Sequence, residues 1–177
     1  MRKTSLLATL VLFTFSTALV GCDDDESITE LDGDENFVAE LSSLAEGATP
    51  TGASTTATGL AALEVDDEEL TVNITVNGNL SSGVTTAFIH GPGAPNGSSN
   101  VIFDFTSVMT AAINSGARSG TIVQAEFDLD ELPVSSTGML RIPPSTLVNY
   151  LATGQAFVVV RTTLNPAGEI GGQVRIE

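Results

Sequence analysis

One seven-residue segment of this chain alternates strictly between apolar and polar side chains. It spans residues 70–76 and reads Leu-Thr-Val-Asn-Ile-Thr-Val. Successive side chains of a β-strand point to opposite faces, so the pattern predicts a strand with one buried and one solvent-facing side. Strands of this kind are typical of antiparallel sheets. The segment therefore favours an antiparallel β-fold for the whole chain.

Seven further stretches have the composition of strands and are separated by turn residues: 36–41, 58–65, 84–90, 101–105, 119–129, 155–163 and 169–176. Only one helix is predicted, over residues 146–152, because two prolines precede it and Leu147, Tyr150 and Leu151 recur at helical spacing. The segment 109–117 is ambiguous. The predicted fold is all-β, an antiparallel β-sandwich or Greek-key barrel of about eight strands with one short helix.

The N-terminus has the features of an export signal. Arg2 and Lys3 precede an apolar run that is too short for a transmembrane helix, and the run ends in Leu-Val-Gly-Cys at Cys22. This ending resembles a bacterial lipobox, so residues 1–21 are predicted to be a lipoprotein signal peptide and Cys22 the lipidated residue. An ordinary signal peptide and an uncleaved anchor helix remain alternatives. Cys22 is the single cysteine of the chain, so no intramolecular disulfide can form.

Acidic residues dominate the rest of the chain. Residues 23–35 contain eight acidic residues in thirteen, and residues 22–35 are predicted to be a disordered tether to a β-domain at 36–177. The formal net charge is −16, and six basic residues oppose 22 acidic ones. Nucleic acid is excluded as a partner, because binding phosphates needs clustered Lys and Arg.

Two motifs stand out along the chain. The first is Ala-Phe-Ile-His-Gly-Pro at 87–92, and the second is Phe-Val-Val-Val-Arg-Thr at 157–162 followed by Asn-Pro-Ala-Gly-Glu-Ile-Gly-Gly-Gln at 165–173. In this order the two motifs resemble those of the CHRD (chordin-type) domain family. The chain departs from the family pattern at three positions. Phe88 and Arg161 stand where histidines are usual, and Gly171 stands where an arginine is usual.

These departures leave His90 as the single histidine of the chain. One imidazole cannot hold zinc or copper alone, so neither a metal site nor a cofactor is predicted. His90 is interpreted either as a general base or ligand-binding donor, or as a structural residue that hydrogen-bonds loop carbonyls. Arg161 lies in an apolar strand and needs a partner, and Glu169 across the terminal hairpin is predicted to form an ion pair with it. An alternative role for Arg161 is to bind a carboxylate ligand.

The predicted function is a lipid-anchored protein of the cell envelope, on its periplasmic or extracellular face. The resemblance and the lack of a recognisable catalytic constellation favour a non-catalytic binding or adhesion domain over an enzyme. Its predicted partners are the membrane, through Cys22, and an envelope protein or polysaccharide. The candidate polar site comprises His90, Arg161 and Glu169. The alternative function is a metal-dependent redox or hydrolytic protein that uses the His90 region.

Overall fold

The fold is a curled antiparallel sheet. A computed structural model describes residues 35–44, 55–94 and 99–177. These residues form nine strands and two short helices, and every strand pair is antiparallel. The predicted all-β antiparallel class is confirmed. Residues 1–34, which include the predicted signal peptide, Cys22 and nearly all of the predicted tether, lie outside the described residues.

The strands are β1 (Glu35–Ser43), β2 (Thr58–Asp66), β3 (Glu69–Asn77), β4 (Val84–Gly91), β5 (Asn100–Asp104), β6 (Gly120–Asp128), β7 (Phe157–Thr162), β8 (Ile170–Gln173) and β9 (Arg175–Ile176). The helices are α1 (Thr110–Ser115) and α2 (Pro144–Ala152). Hydrogen-bonded neighbours follow the order β5-β4-β7-β8-β1-β2-β3-β6, and β9 pairs with β1.

Strand β1 joins the two halves of the sheet. Its first seven residues pair with β2, and its last two, Ser42 and Ser43, pair with Gly171 and Ile170 of β8. Strand β9 pairs with β1 at Phe37 and Val38. The first and last strands of the described chain are therefore neighbours.

The alternating segment of the sequence lies in β3 as predicted. Leu70, Val72, Ile74 and Val76 are all at most 2% exposed, while the residues between them face outward or are half-buried. Side chains from both halves of the sheet meet these residues in one core. Full burial of such a side chain stabilises the fold by roughly 1.5–3 kcal/mol.

Both helices lie in the connections between strands. Helix α2 was predicted; it has a proline in its first turn and buries Leu147 and Leu151 against the core. Gly154, just after it, has φ +64°, a left-handed conformation that suits a residue without a side chain. Helix α1 falls in the ambiguous segment. In the described part of the chain, neither helix has the length and apolar character needed to cross a membrane.

Candidate functional site

Strands β4 and β7 carry a second buried surface, on the side opposite the core. Ala87, Ile89, Val158 and Val160 belong to the core, so the residues between them point the other way. We call this second surface the outer face, and it comprises Phe88, His90, Phe157, Val159 and Arg161. Two register pairs hold it together, Phe88 with Val159 and His90 with Phe157. All but Arg161 are at most 8% exposed.

His90 lies where the pairing of β4 and β5 changes register. Ile89 pairs with Phe103 and His90 with Val101, so β5 has one extra residue. The imidazole stacks on Phe157, with the ring centroids 5.2 Å apart, and meets Phe88 edge-on at 5.8 Å. Irregularities of this kind often aim a side chain near a functional site.

The hydrogen bonding of His90 fixes its tautomer. Its Nδ1 lies 3.3 Å from the carbonyl oxygen of Ser99. A carbonyl can only accept, so Nδ1 carries the proton and Nε2 presents a lone pair. Burial lowers the pKa of His90, as do the charges of Arg161 and Arg141, while the bond to Ser99 opposes them. The imidazole is therefore neutral at neutral pH.

Arg161 covers the ring of Phe88. Its Cζ lies 4.6 Å from the ring centroid, a cation–π contact. Burial lowers the pKa of Arg161, and the carboxylate of Asp104 opposes that effect. The guanidinium has no ion pair within the described residues, where Arg141 pairs with Asp104 and Arg175 with Glu40, each at 3.0 Å.

Glu169 is buried at the other end of the terminal hairpin and accepts four hydrogen bonds. Its Oε1 accepts the backbone N–H of Ser81 at 2.6 Å. Its Oε2 accepts the hydroxyl groups of Ser81 and Thr162, each at 2.6 Å, and the amide of Asn165 at 2.9 Å. Burial alone raises the pKa of Glu169, but the donors from Ser81, Thr162 and Asn165 together lower it below its ordinary value. The cluster ties the hairpin to the segment before β4.

The predicted ion pair between Arg161 and Glu169 does not form, and that prediction is wrong. Thr162 donates to Glu169, and Arg161 is its neighbour in β7. Because adjacent strand residues face opposite ways, Arg161 points to the outer face instead. The structure therefore brings His90 and Arg161 together and places Glu169 in a separate cluster.

The sequence did not identify the partners of Glu169. Asn165 lies in the same motif, and its side-chain amide could have been expected to turn back toward Glu169. Ser81 lies 88 positions from Glu169, and nothing in its local sequence signals the contact. The sequence also did not predict the hydrogen bond between His90 and the carbonyl of Ser99, or the ion pair between Arg141 and Asp104.

Comparison with protein families matches residues 37–174 to the CHRD domain. The chain belongs to the CHRD domain family. A search of curated proteins and a search of solved structures each found no match. CHRD domains are generally non-catalytic binding domains. The match begins at the third residue of β1, ends one residue after β8 and includes both helices.

The fold brings together three positions of the two CHRD motifs: the two at which this chain lacks the usual histidine, and that of His90. Residues 88, 90 and 161 all lie on the outer face, where this chain carries Phe, His and Arg. Among the residues that the structure describes, no three His, Cys, Asp or Glu side chains are grouped so that they could hold a metal ion. A site with histidines at all three positions would be chemically different from this one.

The third departure, Gly171, has a packing explanation. A Cβ at this position would lie 2.8 Å from the carbonyl oxygen of Val158 and 3.1 Å from the side chain of Leu44. At the next residue, Gly172, a Cβ would collide with the carbonyl oxygen of Glu40. The CHRD domain of this chain therefore needs glycine at both positions, because β1 and β7 approach β8 too closely for a side chain.

Proposed function

We propose that this protein is a lipid-anchored component of the bacterial cell envelope whose CHRD domain binds an envelope protein or polysaccharide without catalysing a reaction. The lipobox-like ending at Cys22 supports the anchor. Several acyl chains, at about 0.8 kcal/mol per buried CH₂, would hold the protein on a membrane. The acidic run that follows suits a solvated spacer between the membrane and the domain.

The surroundings of His90 favour a binding domain over an enzyme. Its one hydrogen bond within the described residues goes to a backbone carbonyl, and its ring packs against Phe88 and Phe157. A general base needs a nucleophile or a substrate proton within hydrogen-bond reach, together with a group that orients it for that task. Glu169, which is 3% exposed, has its two carboxylate oxygens engaged by four donors and is not free to act as a base.

The anchor is tested by the variant Cys22→Ala, compared with the wild type after cell fractionation. We expect the wild type in the membrane pellet and the variant in the soluble fraction, because alanine has no thiol to receive a lipid. Mass spectrometry of the N-terminal peptide should detect acyl groups on Cys22. A wild-type N-terminal peptide without acyl groups on Cys22 would contradict the lipid anchor.

The binding role is tested by co-sedimentation. The wild-type protein, solubilised in mild detergent, is titrated against washed cell-wall and envelope fractions. Saturable retention supports a binding domain. Retention no greater than that of heat-unfolded protein would contradict it.

A further inference from the structure

An open cavity of about 420 Å³ lies between the end of β4, the start of β5, the segment before α2 and α2 itself. None of the five residues of the outer face lines it. Pockets that hold small molecules have volumes of about 300–1,000 Å³, so the space suits a small ligand. The last two residues of the first CHRD motif, Gly91 and Pro92, form part of its wall.

The cavity begins where the cover on the edge of β5 ends. Residues 139–141 run beside this strand: the N–H of Asp104 donates to the carbonyl of Met139 at 2.8 Å, and the N–H of Arg141 donates to the carbonyl of Ile102 at 2.9 Å. The last of these bonds reaches Ile102, and Asn100, at the start of β5, is exposed. The side chains around this point are therefore accessible to a ligand.

The apolar part of the cavity includes the ring of Tyr150, from α2. A Cβ at Gly91 would lie 3.2 Å from the Cδ2 atom of this ring, so the missing side chain of the glycine lets the ring lie against β4. Pro92, Val101 and Ile142 also line the cavity, and each is exposed or half-buried. An apolar group of a ligand would find contact surface here.

The polar part of the cavity carries a positive charge. Arg141 lines it together with Asn100 and Ser136, whereas no Asp or Glu of the described residues does so. A guanidinium has five N–H groups. Arg141 uses one for the carbonyl of Gly138 and one for the carboxylate of Asp104, which leaves three without a partner in the part of the chain that the structure describes. These three are available to an anion.

Two arginines share one carboxylate in this part of the sheet. Asp104 pairs with Arg141 at 3.0 Å. Burial lowers the pKa of Arg161 and the charge of Asp104 opposes that effect, so the same carboxylate also acts on the second guanidinium. Two positive charges therefore face one negative charge, in a chain whose net charge is −16. Charges farther away than about 8 Å are largely screened at physiological ionic strength, so an anion is attracted here.

A carboxylate attached to an apolar group matches both parts of the cavity. Arginine binds carboxylates through paired N–H donors, and the apolar wall covers the rest of such a molecule. We propose that this cavity binds a small organic carboxylate, whose charge pairs with Arg141 and whose apolar part packs against Ile142 and the ring of Tyr150. The site goes beyond the proposed function, because its ligand is a small molecule and not an envelope polymer.

Tyr150 makes the test direct, because it is the single tyrosine of a chain without tryptophan. The full chain, in mild detergent, is titrated with cyclohexanecarboxylate while the tyrosine fluorescence is measured. We expect a saturable change with a Kd in the millimolar range. Cyclohexanecarboxamide has the same shape without the charge, and acetate and inorganic phosphate lack the apolar part. Each of these three should bind at least about tenfold more weakly.

Two pairs of variants locate the site. Asn100→Asp adds a negative charge to the wall of the cavity and should weaken the affinity for cyclohexanecarboxylate about tenfold, whereas Asn114→Asp makes the same exchange at an exposed position of α1 and should not change it. Arg141→Gln should also weaken the affinity about tenfold. Arg175→Gln removes an exposed arginine paired with Glu40 and should leave the affinity unchanged. Circular dichroism shows whether each variant is folded.

Fluorescence that changes linearly, without saturation, would overturn the inference. So would a carboxamide that binds as tightly as the acid, or phosphate that binds more tightly than cyclohexanecarboxylate. Folded Asn100→Asp that binds as tightly as Asn114→Asp would place the ligand elsewhere and overturn the inference as well. Envelope co-sedimentation does not enter this titration, so the cavity site and the proposed function can fail separately.

Discussion

Replacing Glu169 with glutamine keeps the size of the side chain and removes the charge that four donors surround. The amide oxygen can take the place of Oε1 and accept the backbone N–H of Ser81. The NH₂ group then faces the hydroxyls of Ser81 and Thr162, which can turn and accept. The amide of Asn165 cannot turn in the same way and would face another donor. At best, three neutral hydrogen bonds replace four charge-assisted ones.

The size of the effect follows from these contacts. Hydrogen bonds to a charged group contribute about 1.5–3 kcal/mol and neutral ones about 0.5–1.5 kcal/mol. The neutral amide costs less to bury than the carboxylate, which offsets part of the loss. We expect Glu169→Gln to lower the free energy of unfolding by about 2–4 kcal/mol. With a urea m-value of about 2 kcal/mol/M, the unfolding midpoint falls by about 1–2 M.

The pH dependence separates the charge from the shape of the side chain. The pKa of Glu169 is lowered in the folded protein, so the unfolded state binds the proton more readily. The stabilisation is fully present above the unfolded pKa, near 4.3, and is lost as the pH falls through the folded pKa. The stability gap between wild type and Glu169→Gln should be constant near pH 6–7 and narrow below about pH 4.

Urea unfolding followed by circular dichroism, between pH 3.5 and 7, measures this gap. Glu126→Gln is the matched control, because Glu126 is an exposed carboxylate on β6. Its substitution should change stability by less than about 0.5 kcal/mol. The reasoning is refuted if Glu169→Gln is no less stable than Glu126→Gln at pH 7, or if the gap does not change with pH.

Two further predictions concern other parts of the fold. Gly172→Ala should destabilise the protein by more than about 2 kcal/mol, because the new Cβ collides with the backbone of Glu40. The control Gly120→Ala, at φ +85° with open space around it, should cost about 1 kcal/mol. Equal thermal unfolding temperatures of the two variants would contradict this. A pH titration of the imidazole of His90, followed by NMR, should have a midpoint below the ordinary pKa of about 6.5, because burial lowers the pKa of His90. The contribution of neutral His90 to the free energy of unfolding should be complete above about pH 6.5 and should be lost as the pH falls through the folded pKa. His90→Gln should remove this loss. A titration midpoint above about 6.5 would refute the lowered pKa.

The strands were predictable because the sequence alternates wherever one side of a strand faces water. In β3 this pattern alone separates the buried residues from the exposed ones. The last predicted strand was harder, because buried Val174 interrupts it and donates its N–H to the carbonyl of Ala156. Helix α1 has no side-chain cap at its start and no buried residue, so its start and its apolar face leave no signal in the sequence, although Gly116 ends it in a left-handed conformation typical of a C-terminal cap.

The candidate polar site was predicted as His90, Arg161 and Glu169, and the structure brings the first two together around Phe88 but places Glu169 in a separate cluster. Motif comparison singled out positions 88, 90 and 161, and the fold brings them together. The mistaken pairing of Arg161 with Glu169 relied on their positions across the terminal hairpin from each other. The alternation of β7 would have argued against it, because Thr162 and Arg161 face opposite ways. Ser81 reaches Glu169 only through the arrangement of the whole sheet, which local sequence does not encode.

The position of β1 has a consequence for how the chain folds. Its hydrogen-bond partners include β8 and β9, which lie far from it along the chain, at the other end of the described residues. Contacts between distant parts of a chain form slowly, because a long loop must close before they contribute any stability. The sheet therefore cannot close until the C-terminal strands are present. A nascent chain with this topology therefore keeps β1 without part of its hydrogen bonding while the strands between β1 and β8 are synthesised.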